Sequence, residues 1–235
     1  MLNFMKIGGL QKLTLIDYPG KVAATVFTVG CNFFCPFCHN PDLVLLKKSE
    51  QYPFLSEEQF FWWLEKKLGL LDGVCISGGE PTIHKDLPDF IKEIKSLGFI
   101  VKLDTNGSNP EMLEYLIKNN LIDYVAMDIK APINKYSKFY RLATNVAAIK
   151  KSVNLICQLA DYEFRTTVIP DFHKKRDFTE IGEWLMGSNK YVLQQFRPEK
   201  TLDPAFADVR PYSDEELKSF CEGLKPYFKK CEVRL

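Results

Sequence analysis

Apolar residues in this chain gather in two alternating patterns. Six short runs are rich in β-branched and aromatic residues: "VAATVFTV" (22–29), "GVCISG" (73–78), "IVKLDT" (100–105), "YVAMDIK" (124–130), "YEFRTTVI" (162–169) and "YVLQQF" (191–196). Several are nearly continuous, as in strands buried on both faces. Between them the apolar positions recur at helical spacing. Ser56 with Gln59 has the form of a capping box opening a helix over 56–68, and Gly69 stops it. Asp86 is placed to cap a helix whose apolar face is Leu87, Phe90, Ile91, Ile94 and Leu97, and Gly98 ends it. Asn109 with Pro110 opens a third helix. Residues 145–160 and 178–187 read as the fourth and fifth. Ser213 with Glu216 opens a sixth, in which Pro226 is a predicted kink.

Six strand-then-helix units in series predict an α/β protein with a parallel sheet and right-handed crossovers. The regular order favours a barrel, but six units are too few to close the usual eight-stranded one. The expectation is a partial (β/α)6 barrel of parallel strands, an open TIM-type barrel, forming a single domain over 1–235. A flat doubly wound sheet is the alternative. In either architecture the reactive face lies at the carboxyl ends of the strands. The unusual polar residues fall there: a cysteine loop after the first strand, "GGEP" after the second, "DTNG" at the third, "DIK" at the fourth and "FRP" at the sixth. The segment "RPEKTLDPAFADVRPY" (197–212) is long for a connection and is predicted to be a lid or docking loop. His84 and His173 fall in predicted surface loops and receive no role.

Composition narrows the function. Lys plus Arg is 31 against 30 for Asp plus Glu, a balance that argues against nucleic-acid binding. No run approaches the roughly 18 apolar residues of a membrane span. The start "MLNFMKIGGLQKLTLIDYPGK" lacks the layout of a signal peptide. A cytoplasmic protein with reduced thiols is therefore expected, and seven cysteines, an odd number, fit a disulfide framework poorly.

Three of those cysteines, Cys31, Cys35 and Cys38, crowd into "TVGCNFFCPFCHNPD" (28–42). Three thiolates on one loop can grip an iron–sulfur core and leave one iron open to a substrate. The competing reading is structural zinc on Cys31, Cys35, Cys38 and His39, but adjacent Cys38 and His39 would strain the loop, and the usual second pair is missing. Cys75, Cys157, Cys221 and Cys231 are scattered, and Cys75 in a predicted buried strand reads as structural.

"CNFFCPFCHNP" resembles the cluster motif of the radical S-adenosylmethionine (SAM) enzymes, most specifically the activases of glycyl-radical enzymes. "GGLQKLTLIDYPGKVA", "ISGGEPT", "KLDTNGSNP", "VAMDIKAP", "EFRTTVIP" and "QQFRPE", in this order, are similar to the anaerobic ribonucleoside-triphosphate reductase activating proteins. The resemblance spans nearly the whole chain and implies a partial (β/α)6 barrel. It implies a [4Fe-4S] cluster on Cys31, Cys35 and Cys38, reductive cleavage of SAM to methionine and a 5′-deoxyadenosyl radical, and hydrogen abstraction from a glycine of the partner reductase. A flavodoxin- or ferredoxin-type protein is the implied electron donor. No nucleic acid or membrane is implied.

The resemblance also implies roles for single residues. Phe37 lies along the adenine. Carbonyls of Gly78 and Gly79 meet the methionine ammonium, in a loop that Glu80 orients. Asp104 suits an ammonium, and Lys130 and Arg197 suit the SAM carboxylate. Asp104, Thr105, Asp128 and the carbonyl of Ala126 match a monovalent-cation site. "Asp17-Tyr18-Pro19-Gly20" has a type II turn signature, and by resemblance Asp17 meets the glycine loop, a candidate contact to the substrate protein. Two alternatives share the chemistry: an activase of pyruvate formate-lyase or another glycyl-radical enzyme, and, more remotely, a deazaguanine synthase. Activases with extra clusters usually carry a cysteine-rich insert, whereas here only Cys75 lies between Cys38 and Gly78. From a different class, the chain can be read as a zinc-binding adaptor without activity.

Overall fold

The computed structural model describes residues 5–44, 54–139, 145–170 and 172–235. They fall into two compact units. The first comprises the described residues of 1–32, 42–105 and 109–125, and the second those of 33–41, 106–108 and 126–235.

In the first unit, β1 (Ile7–Thr14) runs antiparallel to β2 (Ala23–Thr28). β3 (Gly73–Gly78) and β4 (Ile100–Thr105) then follow in parallel. Valine, isoleucine and leucine at Val74, Ile76, Val101 and Leu103 are fully buried, as the continuous apolar runs predict for central strands. Helix α1 (Glu57–Glu65) begins at Ser56, whose hydroxyl accepts the Gln59 N–H while Gln59 returns a bond to Ser56. Its Phe60 and Leu64 pack inward. Helix α2 (Leu87–Ser96) buries Leu87, Phe90, Ile91 and Ile94, the predicted face. Asp86 precedes it in helical backbone geometry and makes no side-chain cap. That corrects the sequence expectation, because an acceptor caps only from an extended residue. Helix α3 (Pro110–Lys118) is capped by Asn109, which accepts the Met112 N–H.

The second unit holds most of β5 (Tyr124–Asp128), then β6 (Tyr162–Val168), β7 (Lys190–Gln195) and β8 (Lys230–Arg234), with β6, β7 and β8 parallel. Between them run α4 (Val146–Ile156), α5 (Lys175–Trp184) and α6 (Asp214–Leu224). The Ser213–Glu216 capping box is formed as predicted. Pro226 lies beyond the end of α6 and does not kink it. The core gathers Phe164, Tyr191, Leu193, Ile149, Phe178 and Leu217, with Phe228 stacked on Tyr191 at 4.7 Å.

Two strands were not predicted. β1, "IGGLQKLT", is largely exposed along its middle and lacks an apolar run. β8, "KCEVR", alternates charges and is held by ion pairs: Lys190 bridges Glu232 at 2.8 Å and the buried Glu163 at 3.3 Å.

Candidate functional site

In the first unit the glycine loop is built by backbone packing. Gly79 N–H donates to Thr28 O (2.9 Å) and Glu80 N–H to Gly30 O (2.8 Å). A Cβ on Gly79 would sit 1.9 Å from Gly30 O, and one on Gly78, whose φ is +114°, 2.3 Å from Thr28 N. The two glycines let this loop lie against the chain entering the cysteine loop, a closer reason for them than any ligand. Glu80 is buried. Its Oε1 accepts from the Thr82 N–H (3.1 Å), the Thr82 hydroxyl (2.5 Å) and the Thr105 hydroxyl (2.8 Å). A carboxylate so occupied holds the loop in place.

Asp104 carries its own cation. The ammonium of Lys102, a buried side chain, pairs with one of its oxygens, and the Ser77 hydroxyl donates to the other at 3.0 Å. Lys102 also lies 3.7 Å from the Cys75 sulfur and over the Tyr124 ring. Asp17 is placed elsewhere than expected. Its carboxylate accepts the Thr25 hydroxyl proton at 2.6 Å within the β1–β2 hairpin, rather than reaching the glycine loop. The following turn is as predicted, with Lys21 N–H donating to Tyr18 O and Gly20 at φ +71°.

In the second unit, Cys35 and Cys38 sit on one tight turn closed by Cys38 N–H donating to Cys35 O (3.0 Å). Burial pushes the Cys35 thiol up to about 11, against a lowering by the nearby Lys130 ammonium, and burial raises Cys38 too. Burial of this kind disfavours a free thiolate. Phe37 is buried against Phe172 and Phe206 (6.1 and 6.4 Å), themselves stacked at 5.5 Å. Phe206 belongs to the 197–212 loop, which is fastened to the cysteine loop by Asp203 N–H donating to Pro36 O (2.8 Å).

Asp128 ends β5 and Lys130 follows it, in a largely buried charge cluster. Lys130 Nζ and Arg165 Nε each approach Asp128 at 2.9 Å, on different oxygens. Burial opposes the charge on Asp128, but Arg165 and Lys130 outweigh it and hold the carboxyl well below its usual range. Burial likewise opposes the Lys130 charge, and Asp128 overcomes it, raising the ammonium above its usual value. His173, expected in a surface loop, is fully buried. Its Nδ1 accepts the Ile169 N–H (3.1 Å), so Nε2 carries the proton and donates to Lys130 O (2.8 Å). Tyr136 accepts the Lys130 N–H at 3.1 Å. Arg165, His173 and Tyr136 are the residues that sequence reasoning missed. Arg165, a charge inside an apolar strand, was the available signal.

Arg197 is exposed, and its Nη2 donates to the Leu235 carbonyl at 3.4 Å rather than to Glu199 or Asp203. His39 stacks on Phe196 at 5.7 Å. Among the described residues, no three His, Cys, Asp or Glu side chains are grouped as around a single metal ion.

Residues 25–185 match the family model of the radical SAM superfamily. A Methanocaldococcus jannaschii protein named "Putative glycyl-radical enzyme activating enzyme" is 35% identical over 97% of this chain and 95% of its own length. The pyruvate formate-lyase-activating enzyme of Clostridium pasteurianum is 31% identical over 53% of this chain and 52% of its own. A crystal structure of a domain of pyruvate-formate lyase-activating enzyme from Bacteroides vulgatus superposes with a TM-score of 0.55 at 18% identity, covering 68% of this chain and 98% of that one. That likeness shows the fold, the α/β partial barrel of parallel strands expected from the alternating pattern. Membership implies a [4Fe-4S] cluster and SAM as cofactors. No helix of the described residues is long and apolar enough to cross a membrane. The chain is an enzyme of the radical SAM superfamily and belongs to its glycyl-radical-enzyme activating family.

Proposed function

We propose that this enzyme activates an anaerobic ribonucleoside-triphosphate reductase in the cytoplasm, drawing its electron from a flavodoxin- or ferredoxin-type protein. The observation that carries this reading is the ordered set of segments from "GGLQKLTLIDYPGKVA" to "QQFRPE" around Cys31-x3-Cys35-x2-Cys38. When bound, the cluster and SAM together supply reductive cleavage of a carbon–sulfur bond and a radical for hydrogen abstraction.

The chain's own residues bind, orient and exclude water. Cys31, Cys35 and Cys38 would hold the cluster, and the Lys130 ammonium favours the anionic form of Cys35 and Cys38. Asp128, pinned by Arg165, keeps Lys130 at that position. The backbone of Phe37 is offered to the adenine while its ring, with Phe172 and Phe206, keeps water out. Gly78 and Gly79 present carbonyls to the methionine ammonium, and Glu80 orients them. Asp104 contributes to the same ammonium, and Arg197 grips the carboxylate. A monovalent cation on Asp104, Thr105, the Ala126 carbonyl and Asp128 belongs to the same proposal.

A second reading, activation of pyruvate formate-lyase, is favoured by similarity to enzymes of that name from Clostridium pasteurianum and Listeria monocytogenes. One experiment separates the two. The reduced enzyme and SAM are mixed anaerobically with each candidate partner, and a glycyl radical is sought by electron paramagnetic resonance. A radical on the reductase supports the first reading. A radical on pyruvate formate-lyase alone overturns it in favour of the second.

A further inference from the structure

The C-terminal segment carries two cysteines that the site above does not use. Cys221 lies in the last turn of α6, and Cys231 is the second residue of β8, against which α6 packs. Both are thiols, with sulfurs 2.8 Å apart. That is closer than two unbonded sulfurs settle and not far beyond the roughly 2.05 Å of a disulfide bond. Two cysteines serving only as small apolar side chains have no reason to approach so closely. Among the described residues, no third His, Cys, Asp or Glu completes a metal site with them. Cys221 is 6% exposed and Cys231 is half-buried, so the pair opens to solvent on the Cys231 side. The hydrogen bond between them pulls Cys221 below the ordinary thiol value and pushes Cys231 above it, so one thiolate is easier to form than in a lone cysteine.

We propose that Cys221 and Cys231 are a dithiol–disulfide site oxidised by a low-molecular-weight disulfide such as glutathione disulfide. The thiolate of the pair attacks one sulfur of the small disulfide. That S–S bond breaks, and one small thiolate leaves. The second cysteine gives up its proton and attacks the protein sulfur of the mixed disulfide, expelling the second small thiolate. Two protein thiols are oxidised to one disulfide, and the small disulfide is reduced to two thiols that take up the two protons. The bridge ties the end of α6 to β8, the last strand in the sheet order. Arg234 of this strand pairs with the buried Glu163 at 3.3 Å, and its neighbour Leu235 accepts Arg197. Oxidation therefore fixes the strand whose end meets Arg197.

The test uses the anaerobic, cluster-loaded full chain equilibrated with glutathione disulfide, with the visible absorbance reporting an intact cluster. Remaining thiols are trapped with N-ethylmaleimide, and tryptic peptides are read by mass spectrometry. The expected result is a cross-linked pair of peptides containing Cys221 and Cys231, while the exposed Cys157 stops at a mixed disulfide. In Cys221→Ser, Cys231, the member open to solvent, also stops at the mixed disulfide. The oxidised wild type should melt about 3–8 °C higher than its reduced form, and the doubly substituted Cys221→Ser, Cys231→Ser chain should show no such difference. Recovery of both cysteines alkylated while the cluster is intact, or a cross-link that forms only in urea, would overturn the proposal.

Discussion

Replacing Asp128 with Asn removes the single anion shared by two cations. Lys130 and Arg165 each contact it at 2.9 Å, and the three side chains are only 14%, 10% and 27% exposed. Asn keeps the shape and one neutral acceptor but leaves both cations without a counter-charge. Breaking a buried pair this way costs about 3–5 kcal/mol, and the partial opening of Asp128 to solvent places this case near 3 kcal/mol. Urea unfolding of the reduced, cluster-free chain at pH 7 should then show a midpoint lowered by about 1 M. Adding Arg165→Gln removes one of the stranded cations, so the double variant should recover part of the loss, with a coupling of about 2 kcal/mol. A cost below about 1 kcal/mol for Asp128→Asn, with an additive double variant, would refute the idea that Asp128 organises this cluster.

Gly79→Ala should destabilise by about 3 kcal/mol or more, because its Cβ meets backbone atoms of Gly30 that cannot swing aside. The control Gly223→Ala, in open space on α6, should be neutral or stabilising by about 1 kcal/mol in the same unfolding assay. Arg197→Ala should weaken SAM binding about 10- to 150-fold by calorimetry on the cluster-loaded enzyme, with Arg197→Lys recovering only part; unchanged affinity would leave Arg197 with its Leu235 contact alone. Burial lowers His173 to about 4 from an unfolded value near 6.5, so the unfolded chain takes up the proton first. Its stabilisation is complete above about pH 6.5 and is lost as pH falls toward 4, amounting to about 3 kcal/mol, and His173→Gln should flatten that slope in urea titrations from pH 7 to 4.

Features settled by near neighbours were legible in the sequence. The capping boxes at Ser56–Gln59 and Ser213–Glu216 and the turn at Gly20 each depend on residues within four positions, and each formed. The buried strands were legible because burial on both faces demands an unbroken apolar run. β1 and β8 escaped because neither has one, and β8 relies on ion pairs with residues 40 or more positions away. In the site, the cysteine spacing and the strand-end acids stood out as residue types. Their partners did not, because Asp128 meets Arg165 across 37 positions and Lys130 meets His173 across 43. A histidine buried by such a long-range contact looks in sequence like any loop histidine. The packing role of Gly79 was not legible either, because its nearest atoms belong to Gly30, far away in sequence.

The central claim is that the three clustered cysteines support reductive SAM chemistry. Its most direct measurement is SAM cleavage by the anaerobically reconstituted, chemically reduced enzyme, followed as 5′-deoxyadenosine and methionine alongside iron content. The expected result is about four irons per chain and cleavage in the wild type, with both lost in Cys35→Ala and retained in Cys157→Ala. Full SAM cleavage by Cys35→Ala, or a colourless wild type that binds zinc in place of iron, would contradict it.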